Sequence, residues 1–314
     1  MADPTRAVLL MAYGTPESPD DVEEYFTNIR HGHKPPAPAV ENLRRRYERV
    51  GGGTPLRHIS ESVRTRLEQA LAERGTPARV YLGMKYWHPF IKEAVREMSN
   101  DGVTDAVAIA LAPHYSKMSI GSYEKALREA ELDLKAPFAT RVVERWHTRP
   151  EFTAMMTGLV NDALGKFEAS ERDALAVVFT AHSLPIKIRE WNDPYERELS
   201  DSAANVAKEA GLDRWHFAWQ SAGGTSEPWI GPDILEYLEE LQAQGARAVL
   251  QVPIGFVAEH LEILYDIDIE AVEKARSLGM HLERTALPND SAALIDTLVS
   301  VVAEASDQVS AVGP

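Results

Sequence analysis

Apolar residues in this 314-residue chain follow two alternating patterns. Short runs of six to nine mostly apolar residues end at glycine, proline or a charge. Longer stretches repeat apolar residues at three- and four-residue steps. The first pattern predicts strands buried on both faces, and the second predicts amphipathic helices. Strands are expected at 6–13, 78–84, 104–112, 139–145, 174–181, 214–219, 246–252 and 281–286. Helices are expected at 58–74, 89–100, 120–131, from Glu151 onward, and at 194–210, 232–243 and 290–305. Ser18-Pro19-Asp20-Asp21 is a helix start, with Ser as the cap, Pro at the first position and acids in the first turn. That helix turns Val22, Tyr25, Phe26 and Ile29 inward and stops near Gly32.

Eight strands alternating with helices predict a parallel α/β architecture. Eight such units can close one barrel. The unequal helices and loops, and a chain longer than a minimal barrel, favour two doubly wound halves instead. Each is expected to hold a four-stranded parallel sheet flanked by helices, with a cleft between them. The expected domains are 1–145 and 146–289, with a last helix, 290–306, packing back on the first. Residues 307–314 read as a short disordered tail. Ligands of such sheets bind at the carboxyl ends of the strands, which places Tyr13 at a binding edge.

The stretch 251–271, QVPIGFVAEHLEILYDIDIEA, departs from an ordinary surface helix. It breaks at Pro253 and Gly255 and then becomes helical in pattern, with Val257, Leu261, Leu264 and Ile267 on the core side. Glu262, Asp266 and Glu270 are each four residues apart. Like charges at that spacing repel along a helix. They form either a solvated acidic face or a track for a cation. His260, two residues before Glu262, is expected to point elsewhere if the helix is regular.

Composition narrows the function. The net charge of −15 argues against nucleic acid as the main partner. There is no cysteine, which excludes disulfides, thiolate metal sites and cysteine-ligated iron–sulfur clusters, and permits a reducing compartment. No apolar stretch reaches membrane-spanning length. The apolar run near the N-terminus is too short for a signal peptide and reads as a first strand.

Local chemistry runs against the global charge. Arg30, His31, His33 and Lys34 are followed by Arg44, Arg45, Arg46 and Arg49. This is either a basic face paired with nearby acids or a site for an anionic ligand. Gly51-Gly52-Gly53-Thr54-Pro55-Leu56 lacks the Lys-Ser/Thr ending of a phosphate loop, and reads as backbone able to approach a ligand, with Thr54 offering a hydroxyl. His114 and His182 each lie at the end of a predicted strand. Imidazole and carboxylate together bind a divalent metal or move protons. A serine nucleophile at Ser183 lacks the G-x-S-x-G elbow.

These segments carry a resemblance. MAYGTP (11–16), the Arg30 segment, RRYE (45–48), GGGTPL (51–56), APHYS (112–116), TAHSLP (180–185), WQSAGG (219–224), PWIGPD (228–233) and GFVAEHLEILYD (255–266) are similar to motifs of the ferrochelatase family, in its order and spacing. Tyr13 resembles the branch acting on coproporphyrin III. The resemblance implies two Rossmann-like domains of the class II chelatase type. It implies an enzyme inserting Fe²⁺ into coproporphyrin III in heme biosynthesis, cytoplasmic and monomeric, with coproporphyrin III and Fe²⁺ as partners and a transient contact with a downstream heme-pathway enzyme. It implies His182 and Glu262 as the metal-site pair, with Asp266 and Glu270 as outer acids. Tyr13 is implied to approach the metal from the opposite face. Arg30, Arg46, Tyr47, Thr54 and Tyr123 are implied to line the macrocycle or its carboxylates. Whether His182 is a base or a metal ligand stays open. No permanent cofactor is expected: iron is a substrate, and the [2Fe-2S] cluster of some relatives cannot form without cysteine. The alternatives are a protoporphyrin ferrochelatase, a cobalt or nickel tetrapyrrole chelatase, and a non-catalytic two-lobed binding protein.

Overall fold

The computed structural model describes residues 3–136, 138 and 140–310. Its strands are β1 (Asp3–Ala12), β2 (Ala78–Met84), β3 (Asp105–Ala110), β4 (Thr140–Val143), β5 (Leu175–His182), β6 (His216–Gln220), β7 (Ala248–Val252) and β8 (His281–Arg284). Its α-helices are α1 (Val22–Ile29), α2 (Ala37–Arg49), α3 (Leu56–Glu73), α4 (Ile91–Asn100), α5 (Ile120–Leu134), α6 (Pro150–Leu164), α7 (Ala169–Arg172), α8 (Tyr195–Glu209), α9 (Ile234–Ala243), α10 (Val272–Ser277) and α11 (Ala292–Ser310).

The strands form two four-stranded sheets, ordered β2-β1-β3-β4 and β6-β5-β7-β8. Every pairing between named strands is parallel. Parallel strands covered by helices on both faces must be apolar throughout, and Leu9, Leu10 and Met11 of β1 are all 0 % exposed. Helix α4 shows the complementary pattern: Ile91, Ala94, Val95 and Met98 turn inward against β1, β3 and α5. In each sheet the chain steps to one side of the first strand and then to the other. The reversal falls between β1 and β3 in one sheet and between β5 and β7 in the other. Such reversal points are where open α/β sheets leave a crevice at their carboxyl edge.

The chain divides into two compact units, Met1–Arg149 with Asn289–Pro314, and Pro150–Pro288. Within the first, α11 packs on α3, and Arg149 donates to the Ser300 carbonyl at 2.9 Å. Helix α11 continues to Ser310, so residues 307–310 are helical rather than a tail; 311–314 lie outside the described residues.

Two local expectations change. Residues 255–260 are turns and bends, not helix, because Pro253 and Gly255 redirect the chain before helical bonding begins. The segment that follows, Glu262–Ala271, is a π-helix, with the Val272 N–H bonded to the Ile267 carbonyl five residues back. It is anchored by Ile263 and Ile267, both 0 % exposed and packed with Leu287 and Phe256. Leu264, expected on the core side, is only partly buried.

Candidate active site

In the second unit, β5 ends on His182 at the carboxyl edge. The chain leaves β7 through Pro253–Gly255 and passes over β5. A Cβ at Gly255 would lie 2.9 Å from the Ala181 Cβ, so only glycine permits this approach. The same loop delivers His260 and Glu262.

Glu262 lies between two imidazoles. Its Oε1 is 3.4 Å from the His182 Nε2, and its Oε2 is 3.4 Å from the His260 Nε2. Each ring is fixed on its far side. The His260 Nδ1 donates to the Ala258 carbonyl at 2.9 Å, and the His182 Nδ1 donates to the Ser183 carbonyl. A carbonyl can only accept, so both Nδ1 atoms carry hydrogen, and in the neutral ring both Nε2 atoms present lone pairs. Two imidazole acceptors and a carboxylate thus face one another, an arrangement satisfied by protons or by a cation. Among the described residues no three His, Cys, Asp or Glu side chains form a ready-made metal cage. The groups are drawn together as ion pairs.

The electrostatics match this geometry. Burial pushes the His182 pKa down, but the Glu262 carboxylate outweighs it and the net direction is up. Burial likewise raises Glu262, and the two histidines override it, holding the carboxyl well below its usual range. Burial, with Glu262 as a nearby charge, pushes the Tyr195 hydroxyl far above its usual value; it donates to the His182 carbonyl at 3.1 Å.

Asp266 is 7 % exposed and accepts from the Ser221 hydroxyl. Glu270 is half-buried further along the π-helix. Bonds spanning five residues widen each turn, so residues four apart remain near neighbours and the three acids share one side. Asp268 lies off this line and is neutralised by both guanidinium arms of Arg284, at 2.6 and 2.8 Å. Among the described residues, neither Glu262 nor Glu270 pairs with Lys or Arg. The Trp229 ring stands 6.3 Å from the His182 ring. Gly223 makes room for it: a Cβ there would lie 2.5 Å from the indole. Ser183 is buried and donates to the Ile230 carbonyl at 2.7 Å, a structural role rather than a nucleophile's.

In the first unit, Tyr13 follows β1 at the carboxyl edge and is 43 % exposed. It packs edge-on against Tyr86 at 4.7 Å. Beside Tyr86 the Lys85 Nζ lies 4.6 Å from that ring, 5.4 Å from the Tyr123 ring, and donates to the Ser122 hydroxyl. Burial lowers the Lys85 pKa to about 8. Thr15 gathers two further residues, 2.9 Å from the Thr54 hydroxyl and 3.3 Å from the Tyr47 hydroxyl. Tyr47 is only 2 % exposed, so it stands behind Thr15 and Thr54. Arg30 caps α1 and is exposed; Arg46 is half-buried on α2. Part of the basic cluster is paired locally: Lys34 with Glu23 at 2.7 Å, and Arg44 with Glu41 at 3.3 Å. His114 is buried and stacked on His147 with ring centres 5.0 Å apart. Burial first, and His147 second, push its pKa well down, so it is a neutral packing residue.

The expectation for His260 is corrected: it precedes the helix, so helical spacing does not govern it, and it faces Glu262. Gln220 and Ser221 lie in the WQSAGG segment and Trp229 in PWIGPD, which carry the resemblance without any role for these residues; the sequence analysis assigns nothing to Lys85, Tyr86 or Tyr195. Lys85 and Tyr86 follow the end of β2, and strand-end position is the signal that could find them.

The Ferrochelatase family model matches residues 5–306. The chain belongs to the ferrochelatase family. Among relatives of this ferrochelatase, the "Ferrochelatase" of Herpetosiphon aurantiacus is 48 % identical over 297 residues, covering 94 % of this chain and 97 % of the relative. The "Coproporphyrin III ferrochelatase" of Geobacillus kaustophilus is 41 % identical over 305 residues, covering 96 % of each chain. That of Bacillus subtilis is 40 % identical over 298 residues, covering 94 % of this chain and 96 % of the relative. The fold is also that of SirB from Bacillus subtilis, solved with Fe³⁺: TM-score 0.59, 10 % identity, covering 96 % of this chain and 95 % of SirB.

Proposed function

We propose that this ferrochelatase inserts Fe²⁺ into coproporphyrin III, giving the iron porphyrin and two protons. The observation that carries the metal-insertion chemistry is the Glu262 carboxylate between two imidazoles whose Nε2 atoms both face it. Relatives about 40 % identical over nearly the whole chain and named for coproporphyrin III support the choice of porphyrin.

The chemistry requires a route for a hydrated cation, bases for two pyrrole N–H protons, and a grip on the macrocycle. Glu262, Asp266 and Glu270 on one side of the π-helix supply the route, exchanging water for carboxylate oxygen step by step. His182 and His260 present the basic Nε2 atoms, and Glu262 stabilises each imidazolium that forms. The two protons leaving the pyrroles are thereby matched by two imidazoles. We assign His182 as a proton acceptor in its neutral form: its Nδ1–H is held by a carbonyl, which leaves the Nε2 lone pair free to take a proton, and the Glu262 carboxylate 3.4 Å away stabilises the imidazolium that results.

The first unit supplies the grip. Tyr13 offers an exposed ring and hydroxyl to the macrocycle. Arg30, Arg46, Thr54, Tyr123 and Lys85 hold its carboxylates and edge, with Tyr47 positioned behind Thr54. Coproporphyrin carries four propionates, and cations beside a hydroxyl suit carboxylates. Binding energy from those remote groups can bend the ring and expose its nitrogen lone pairs. No helix among the described residues is long and apolar enough to cross a membrane. We place the enzyme in the cytoplasm as a monomer with no permanent cofactor, passing its product by transient contact to the next heme-pathway enzyme.

The test is substitution of the pair. His182→Ala and Glu262→Gln should each abolish insertion while coproporphyrin still binds and shifts its absorbance. Near-full insertion by both variants would overturn the assignment.

A further inference from the structure

Beneath the His182–Glu262 pair lie three side chains that metal insertion, as derived above, does not use. Thr180 on β5, Gln220 on β6 and Gln251 on β7 are 0, 1 and 0 % exposed. Polar groups inside a parallel sheet are costly to desolvate unless they are bonded. These three bond mainly to one another, and in one direction. The Gln251 Nε2 donates to the Thr180 Oγ1 at 3.1 Å and to the Gln220 Oε1 at 3.4 Å. The Thr180 Oγ1 donates to the same Gln220 Oε1 at 2.8 Å. Two donors on Oε1 fix which way the Gln220 amide faces. Its Nε2 is thereby aimed at the Glu262 backbone carbonyl, 3.4 Å away, where an oxygen would be repelled.

Gln220 also holds the other member of the pair. It is the register partner of His182 across β5 and β6, and its own carbonyl accepts the Ser183 N–H at 2.8 Å. One residue therefore touches the backbone beside His182 and the backbone of Glu262. The next residue, Ser221, is held at φ +60 and donates to Asp266, tying the second acid to the same strand end. A non-glycine residue at positive φ is a strained conformation that its surroundings must enforce. The Gln251 Oε1 is buried with no hydrogen-bond partner among the described residues. A buried unmet carbonyl lowers stability, so stability alone does not account for this row of side chains.

We propose that Gln220 is a positioning residue for metal insertion: its amide, oriented by Thr180 and Gln251, sets the spacing between His182 and Glu262. The inference rests on His182 and Glu262 being the reacting pair, as proposed above. Gln220→Met keeps the length and removes both polar ends. Its kcat should fall about tenfold, a fraction of the hundredfold that a 1 Å misplacement can cost, with the porphyrin KM within about twofold and porphyrin binding intact. Thr180→Val should give a smaller loss in the same direction. The double variant should be no slower than Gln220→Met alone, because Thr180 acts through Gln220. A purely structural role would instead give losses that track the melting temperature.

Crystal structures of the parent and Gln220→Met read the spacing without turnover. Widening of the His182 Nε2–Glu262 Oε1 distance beyond the 3.4 Å seen here supports the inference, and an unchanged distance overturns it. Unchanged kcat in a folded Gln220→Met, or additive losses, would also overturn it. If that variant does not fold, Thr180→Val carries both comparisons. If the parent inserts no metal, the functional reading fails and the catalytic part of this inference with it, while the crystallographic comparison still decides whether Gln220 sets the His182–Glu262 spacing.

Discussion

Glu262 concentrates the chemistry at the scale of single residues, since it faces His182 and His260 through separate oxygens. The pairing has a pH signature. His182 is raised in the folded protein, so its contribution to stability is full below the unfolded value of about 6.5 and fades as pH climbs through the folded one. Glu262 is depressed, so its contribution is present above the unfolded value of about 4.3 and fades as pH falls through the folded one. Both are present between about pH 4.5 and 6.5. Thermal melts of the parent and Glu262→Gln should therefore differ most in that window and converge as pH climbs through the raised His182 value. A gap widening steadily toward pH 9 would contradict the pairing. A strand end and an acidic column draw attention to His182 and Glu262, but a strand end points equally to His114, and only the resemblance implies the pair. His260 was not legible, because its partner depends on where helical bonding begins, and that is set by the turn through Pro253–Gly255.

At the scale of elements, the π-helix combines a packed side with the acids proposed to deliver the metal. Ile263 and Ile267 bury one side of it while Glu262, Asp266 and Glu270 share another. Ile267→Ala should cost about 2–5 kcal/mol of unfolding free energy by leaving a cavity, measured by urea denaturation; a cost near zero would mean that the helix is not anchored there. Asp266→Asn and Glu270→Gln should raise the apparent KM for iron and leave the porphyrin KM unchanged, read from initial rates at varied Fe²⁺. The strands were read closely because runs buried on both faces leave little ambiguity. The π-helix was invisible in the sequence, since apolar residues at three- and four-residue steps suit either hydrogen-bonding pattern. The short helix α7 and the 3₁₀ turn Ile186–Trp191 were also missed, being too short to show a period.

At the scale of the whole molecule, a net charge of −15 favours cation approach and opposes a tetra-anionic porphyrin, except near the Arg30–Arg49 region. Added salt screens charges over about 10 Å at 0.1 M. Raising ionic strength should lower kcat/KM for Fe²⁺ more than it lowers that for porphyrin, measured with an inert salt. Equal responses would show that the global field plays no part. The parallel strands follow from alternation, and their division into two sheets rather than one barrel follows from the unequal helices and loops and the chain length. Choice of porphyrin did not follow from the pattern, because the side chains proposed to hold its carboxylates, such as Thr54 and Lys85, come from separate segments of the chain.

The most direct test is an anaerobic absorbance assay mixing the protein and Fe²⁺ with coproporphyrin III or with protoporphyrin IX. Faster loss of the free-porphyrin bands is expected with coproporphyrin III. Preference for protoporphyrin IX, or tight binding of both without conversion, would contradict the proposed function.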